Sequence, residues 1–359
     1  MPRLRDHLAS LGDRILGESQ DDDRRWRMPD ECHPHRRTWM AFGASKSIWG
    51  RDLLPTVQQN LALIAQTIAH FEPVTMLVRP EELDLAQCLV GPTVELVTAP
   101  LDDLWMRDTG PVFVYPAAGS GSKAGVNFNF NGWGEKQAHK RDAGVAAVVT
   151  HRAGVEMLES DLVVEGGSIV VDGQGTAFIC ESSVLNKNRN RKWTKKDVEE
   201  ELFYLLGVTK TIWLPGIKGK DITDGHCDFY VTCPRPGLVL AAYDPDPKSF
   251  DHKVTKQHLD ILRSATDSAG RRLEVVVLEA PTNVRPAFSR EDDFAAGYIN
   301  HYVCNGAVIA PEFGDARADD NARAVLQRAY PGRQVVMINI DGVAAGGGGI
   351  HCTTQQEPV

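Results

Sequence analysis

A mixed α/β fold built from a recurring unit of about 60 residues is what the sequence predicts, and three observations carry that prediction. Short β-branched runs alternate with helical patterns along the chain after residue 27. Polar, glycine-flanked clusters follow strand-like runs at Asp108, Glu165, His226, Asn300 and Cys352, with gaps of 57, 61, 74 and 52 residues and a mean of 61. Five such units span residues 28–359, and no compositional linker interrupts them. Recurrence at one period marks repeat architectures, propellers among them. The length of 359 residues, which by itself suggests two or three domains or one large one, is therefore read as a single domain over 28–359 after an N-terminal extension over 1–27.

The elements follow in chain order. Leu4, Leu8, Leu11 and Ile15 fall at helical spacing and predict a short amphipathic helix, with Asp21, Asp22 and Asp23 as a solvated linker behind it. A helix is predicted over 54–70, where Leu61, Ile64, Ala65 and Ile68 share a face. VTMLV (74–78) and VELV (94–97) read as strands, and VFVY (112–115) starts behind a Gly-Pro turn. LVVEGGSIVVD (162–172) reads as a strand bent at its glycine pair, and TAFIC (176–180) as the next strand. A helix over 195–206 precedes LVLAAY (238–243), and one over 252–269 precedes LEVVVL (273–278). GAVIAP (306–311), a helix over 319–329 and QVVMINID (334–341) complete the series.

Composition excludes several functions. The chain carries 39 Lys and Arg against 48 Asp and Glu, a net charge of −9. That balance lacks the basic face of a nucleic-acid binder and the polybasic stretch of a membrane anchor. No window approaches 18 uncharged apolar residues, so no membrane span is expected. The N-terminus has no apolar run of secretory length, and Arg24-Arg25 is followed by WRMPDE rather than a hydrophobic stretch. The seven cysteines, Cys32, Cys88, Cys180, Cys227, Cys233, Cys304 and Cys352, are odd in number and widely spaced, without a CxxC pair. A reduced, cytoplasmic chain is the expectation. The run Cys32-His33-Pro34-His35 lacks a second ligand pair at zinc spacing, so no metal site is expected there.

The chemistry gathers in the clusters. Gly346 to Gly349 precede Ile350-His351-Cys352. Glycines let a ligand approach the backbone closely, and a cysteine behind such a loop is a candidate nucleophile. In Thr223-Asp224-Gly225-His226-Cys227-Asp228 an extended backbone would turn His226 and Asp228 to one side, a proton carrier beside a carboxylate. Trp105-Met106-Arg107-Asp108 offers a carboxylate beside an aromatic ring, and Glu165-Gly166-Gly167 a carboxylate at a bend. One cysteine, one histidine and at least three carboxylates exceed what a hydrolase of neutral amides needs. They suit a planar cation such as a guanidinium, each edge of which pairs with one carboxylate.

These motifs carry a resemblance. MPDECHPHRRTWMAF (28–42), LWMRDTGPVFV (104–114), EGGSIVVDGQGTAFICESSVLNKNRN (165–190), TDGHCD (223–228), YINHYVCNGAVIAPEFGD (298–315), YPGRQVV (330–336) and GGGGIHCTTQQEP (346–358) resemble, in order, the agmatine deiminase and bacterial peptidylarginine deiminase family of guanidine-modifying enzymes. The resemblance implies a five-bladed, pseudo-symmetric α/β propeller of ββαβ modules around a central acidic site. It implies Cys352 as nucleophile, His226 as general acid and base, Asp108 and Asp228 as guanidinium ligands, and Glu165 as a hydrogen-bond partner of substrate or of His226. Trp105 would line the substrate channel, with Asp224, Gly349 and Asn300 as further substrate-binding positions. No metal or organic cofactor is implied, and the partner is a small cationic guanidino substrate.

The implied reaction takes agmatine and water to N-carbamoylputrescine and ammonia. Deimination of arginine or a peptidyl arginine, and amidino transfer to an amine at the same residues, stay open as alternatives. So does the subunit number, with a homodimer among the options. The sequence departs from the family pattern at Ile222, where an acidic run is common, at Gly349 and Ser168, where Asn is usual, and at Cys32 and His33, where a Trp-Glu pair is common. These positions bear on the groups that select the distal end of the substrate.

Overall fold

The computed structural model describes residues 26–119, 121–287 and 294–359. The helix expected around Leu4 to Ile15 and the linker at Asp21 to Asp23 lie outside the described residues. The fold is mixed α/β, and among the described residues the strands form five sheets.

One connection pattern recurs in all five: an antiparallel pair, a helix, and a third strand parallel to the second. Val112–Pro116 pairs antiparallel with Ala124–Asn127, and the helix Val145–Ala153 leads to the parallel strand Glu156–Glu159. The pattern returns as Ile169–Val171, Thr176–Cys180, the helix Lys195–Leu206 and Lys210–Leu214. It returns again as Val231–Arg235, Leu238–Tyr243, the helix Asp251–Ser264 and Glu274–Glu279. Tyr302–Cys304, Ala307–Glu312, the helix Ala316–Ala329 and Gln334–Asn339 form the fourth. The fifth sheet joins distant parts of the chain: Thr354–Pro358 pairs with His35–Phe42, which leads through the helix Lys46–Ala69 to Val74–Val78. Val94–Thr98 adds a further parallel strand there, and Trp26–Arg27 adds an edge to the Val112 sheet.

Local sequence explains many of these elements. Thr194 and Asp197 form a capping box at the start of Lys195–Leu206, and Gly207 (φ 70°) ends it in the left-handed conformation. That helix has the bounds read from the sequence. The strand Val74–Val78 is buried at every position, as a parallel strand covered on both faces must be. The segment Lys46–Ala69 starts earlier than expected but breaks at Gly50 (φ 70°, ψ −177°), so its regular part begins near the expected start.

The stretch 162–172 is not one strand. Gly166–Ser168 makes a 3-10 turn and only Ile169–Val171 pairs. A Cβ on Gly166 would lie 2.3 Å from the Arg107 carbonyl oxygen, so the chain is pressed against its neighbour where a strand would continue. Likewise His226 to Tyr230 is not extended, because Cys227–Phe229 forms a 3-10 turn.

The five polar clusters occupy equivalent places. Met106–Thr109, Gly166–Ser168, Cys227–Phe229 and His351–Thr353 are single turns that lead into the first strand of a sheet, and Asn300 sits two residues before Tyr302–Cys304. Among the described residues the buried apolar side chains form four clusters, one of which runs from Ile64 and Met76 through Ile309 and Leu326 to Cys352. Among the described residues no helix is long and apolar enough to cross a membrane.

Candidate active site

The turns that open the sheets bring their side chains together. Gly167 shows how closely: a Cβ there would lie 2.7 Å from His226 Nδ1, 2.9 Å from Asp108 Oδ1 and 3.2 Å from Asp228 Oδ2. Only a residue without a side chain fits between the three groups. Beside them a cavity of about 270 Å³ is walled by Trp49, Trp105, Trp133 and Phe229, with Asp108, His226 and Cys352 at its surface.

Each charged group has a defined setting. Asp108 accepts hydrogen bonds from the Gly167 amide (3.0 Å, Oδ1) and from Trp133 Nε1 (2.9 Å, Oδ2). Burial, and the nearby charges of Asp228 and Glu165, push its carboxyl above the ordinary range, although His226 opposes the shift. Glu165 is fully buried, receives a bond from His226 Nε2 (3.1 Å) and pairs with Arg189 Nε (2.7 Å). Burial raises its carboxyl, but His226 and Arg189 outweigh that and hold it below the usual value.

His226 lies between Glu165 and Asp108, with Nδ1 3.7 Å from Asp108 Oδ2. Burial disfavours its charge, yet the surrounding carboxylates raise it to about 9, so the imidazolium dominates at neutral pH. Asp228 Oδ2 receives bonds from His351 Nδ1 (2.8 Å) and Asn300 Nδ2 (3.1 Å) and lies 3.6 Å from Cys352 Sγ. Asp228 Oδ1 is buried and has no hydrogen-bond partner among the described residues. Burial pushes the Cys352 thiol well up, and Asp228 and Asp108 add to the shift, so the empty site holds a thiol.

The residues read from the sequence divide into two sets. Asp108, Glu165, His226, Asp228 and Cys352 meet at one place, and Trp105 lines the cavity. Asn300 braces Cys352 instead of walling the cavity: Nδ2 donates to Cys352 Sγ (3.2 Å) and Oδ1 accepts from the Cys352 amide (3.3 Å). Gly349 is not at the cavity surface, since its missing Cβ leaves room for Asn300, whose Oδ1 would be 2.4 Å away.

Asp224 turns away from the cavity. It sits at φ 65°, and its carboxylate takes bonds from Lys136 (2.7 Å), Arg189 (2.9 Å) and the Gly219 amide (2.8 Å). The left-handed turn aims it at cations behind the site. Of the departures from the family pattern, Ile222 lies at the cavity surface, while Ser168 bonds Ser183 and Cys32 bonds the Pro234 carbonyl.

Sequence reasoning missed several participants. Arg189 binds both Glu165 and Asp224, and its only signal was its place in the run Asn188-Arg189-Asn190. Trp133 caps Asp108 from a left-handed position (φ 55°) between two glycines. His351 links Asp228 to Glu31 (Nε2 to Oε1, 2.7 Å). Burial works against the charge on Glu31, but His351 and Arg107 hold its carboxyl down at about 2. Adjacency to Cys352 was the available clue to His351.

Comparison with known proteins finds relatives along nearly the whole chain. The family described as Porphyromonas-type peptidyl-arginine deiminase matches residues 27–358. A relative in Streptomyces coelicolor is 42% identical over 340 residues, covering 93% of this chain and 99% of its own length. The agmatine deiminase of Medicago truncatula is 35% identical over 363 residues, covering 93% and 96%. A solved structure of the agmatine deiminase of Enterococcus faecalis superposes with a TM-score of 0.87 at 32% identity, over 96% of this chain and 99% of that one. With a family match from the first described strand almost to the last residue, and such identities over nearly full length, the chain belongs to the Porphyromonas-type peptidyl-arginine deiminase family.

Proposed function

We propose that this protein is a guanidine deiminase that converts agmatine and water to N-carbamoylputrescine and ammonia through a covalent Cys352 intermediate. The observation that carries the reading is Asp228 Oδ1, a buried oxygen of the carboxylate beside Cys352 that has no partner among the described residues. A buried acceptor left open costs about 1–3 kcal/mol, more for a charged group, and a guanidinium N–H would satisfy it. Asp108 Oδ1 and the other Asp228 oxygen, Oδ2, both border the Gly167 position, so a planar cation held by both carboxylates would present its carbon to Cys352 Sγ. The relatives named agmatine deiminase support agmatine as that cation, and a cavity of about 270 Å³ suits a small free guanidine. The five sheets, each opened by a site-forming turn, support a five-bladed propeller around the site. Seven free cysteines support a cytoplasmic setting.

The steps follow from the protonation states. The arriving guanidinium offsets Asp108 and Asp228, whose charges hold the thiol protonated, and so favours thiolate. The thiolate adds to the guanidinium carbon, forming a C–S bond and a tetrahedral adduct. His226, already an imidazolium, protonates one nitrogen, which departs as ammonia and leaves a thiouronium. The neutral imidazole then takes a proton from water, whose oxygen adds to the same carbon. Cleavage of the C–S bond, with loss of the adduct's hydroxyl proton to solvent, releases the neutral ureido product and restores the thiolate beside the imidazolium. Glu165, locked by Arg189, holds the ring in position throughout.

A panel of agmatine, arginine and a peptidyl arginine, scored for ammonia and ureido product, tests the proposal. Ammonia with N-carbamoylputrescine from agmatine is the expected result. Ammonia from none of the three removes the deiminase reading, and amidino transfer to an added amine without ammonia replaces it.

A further inference from the structure

Asp103 lies at the cavity surface five residues before Asp108, and the chemistry above does not use it. Its carboxylate is buried and accepts bonds from Trp49 Nε1 (2.7 Å, Oδ1), Trp105 Nε1 (3.0 Å, Oδ2) and Gln137 Nε2 (3.0 Å, Oδ2). The Leu104 amide supplies a fourth donor. A carboxylate offers about four acceptor sites, so none remains for a substrate group. Its backbone is fixed as well: Asp142 accepts from the Asp102 amide (2.8 Å) and the Asp103 amide (3.0 Å), and a Cβ on Gly43 would lie 1.8 Å from the Asp103 carbonyl oxygen.

The two indoles that Asp103 holds carry the loop that leads to the nucleophile. Their ring centroids are 5.8 Å apart. A Cβ on Gly346 would fall 2.1 Å from the Trp49 ring, and one on Gly348 would fall 2.1 Å from the Trp105 ring. The loop backbone therefore rests directly on both rings, and Cys352 follows four residues after Gly348. A side chain that fixes one tryptophan fixes a wall of the cavity. One that fixes both also fixes the floor of the loop. We propose that Asp103 is a positioning residue that sets the place of Cys352 through Trp49 and Trp105. The inference rests on Cys352 being the nucleophile.

The test combines Asp103→Asn, Trp49→Phe and the double variant, with folding followed by circular dichroism. Two readouts are taken: steady-state kinetics with agmatine and n-pentylguanidine, and the rate at which iodoacetamide modifies Cys352 in the empty enzyme, read by peptide mass spectrometry. Asp103→Asn keeps the shape but presents an amide donor to one indole N–H. It should lower kcat about tenfold for both guanidines, with KM within about threefold, and shift Cys352 alkylation by more than about threefold. Trp49→Phe removes the bond from the other side and should give the same split. The double variant should fall short of the product of the single effects, as coupled groups do.

A rise in KM for agmatine alone, with kcat intact, would make Asp103 an ammonium ligand and overturn the inference. So would independent effects in the double variant, or unchanged alkylation in both single variants. If the wild type releases ammonia from no guanidine, the deiminase reading fails, while the alkylation rates still decide the role of Asp103.

Discussion

Glu165 and Asp228 are two buried carboxylates of one site in opposite settings. Glu165 is matched: Arg189 and His226 both bond to it, and Arg189 continues to Asp224, which Lys136 also holds. Asp228 is matched on one oxygen only: Oδ2 takes bonds from His351 and Asn300 and lies near Cys352, while Oδ1 has no hydrogen-bond partner among the described residues. A buried charge deprived of its partner is expensive, so a matched carboxylate reads as framework and an unmatched one as a group that waits for a ligand. The site thus has a closed side around His226 and a side beside Cys352 where one buried carboxylate oxygen is left open, which the proposed function assigns to the substrate cation.

This contrast can be broken or sharpened by experiment. The largest effect belongs to the open side: Cys352→Ala should lower ammonia release by at least about 10⁴-fold with an unchanged circular dichroism spectrum. Turnover at the wild-type rate in that variant would end the covalent mechanism. Asp228→Asn and Asp108→Asn should each cost about 10²–10³ in kcat/KM for agmatine, because each removes a charge aimed at the reacting cation.

The closed side should respond in stability. Arg189→Met leaves Glu165 buried and unpaired, and urea denaturation should show a loss of about 3–5 kcal/mol. A stable Arg189→Met protein with normal kinetics would erase the distinction between the two sides. His226, raised to about 9 by its carboxylates, stays protonated up to that pH. The mechanism needs the His226 acid form together with the Cys352 thiolate, so kcat/KM should rise about tenfold per unit through neutral pH and stop rising near pH 9, where His226 begins to lose its proton. A rise that continues unbroken well above pH 9 would contradict His226 as the acid. The smallest effect is expected at Asp224→Asn: about 1–3 kcal/mol of stability and little change in KM, since its oxygens bind Arg189, Lys136 and the Gly219 amide.

How far the sequence reaches differs from one element to the next. The helix Lys195–Leu206 was legible because its periodicity, its Thr194–Asp197 capping box and its terminal Gly207 all lie within a few residues of one another. The strand Thr354–Pro358 was not legible. TQQEP has neither alternation nor β-branched enrichment, and it is a strand because distant groups engage it. It pairs with His35–Phe42, Gln355 bonds Arg107, and Glu357 bonds Trp39 Nε1.

The site shows the same division. Cys352 and His226 were legible because a glycine loop and a TDGH turn announce them locally. Trp133 and Arg189 were not, because each acts on a carboxylate 24 or 25 residues away through a path that only the folded chain defines. Asp224, two residues before His226, reads from the sequence as a substrate-binding group, whereas the fold bonds its carboxylate to Arg189 and Lys136, which local spacing does not reveal.

The sequence alone determined the mixed α/β class, the roughly 60-residue recurrence and the residue types that suit a cationic carbon electrophile. These depend on composition and local spacing, which a linear chain carries in full. The tertiary structure alone decided which carboxylate oxygens are paired and which stay open, and which tryptophans bed the glycine loop before Cys352. Charge state and orientation depend on burial and on partners within about 4 Å, and those neighbours come from turns that open different sheets.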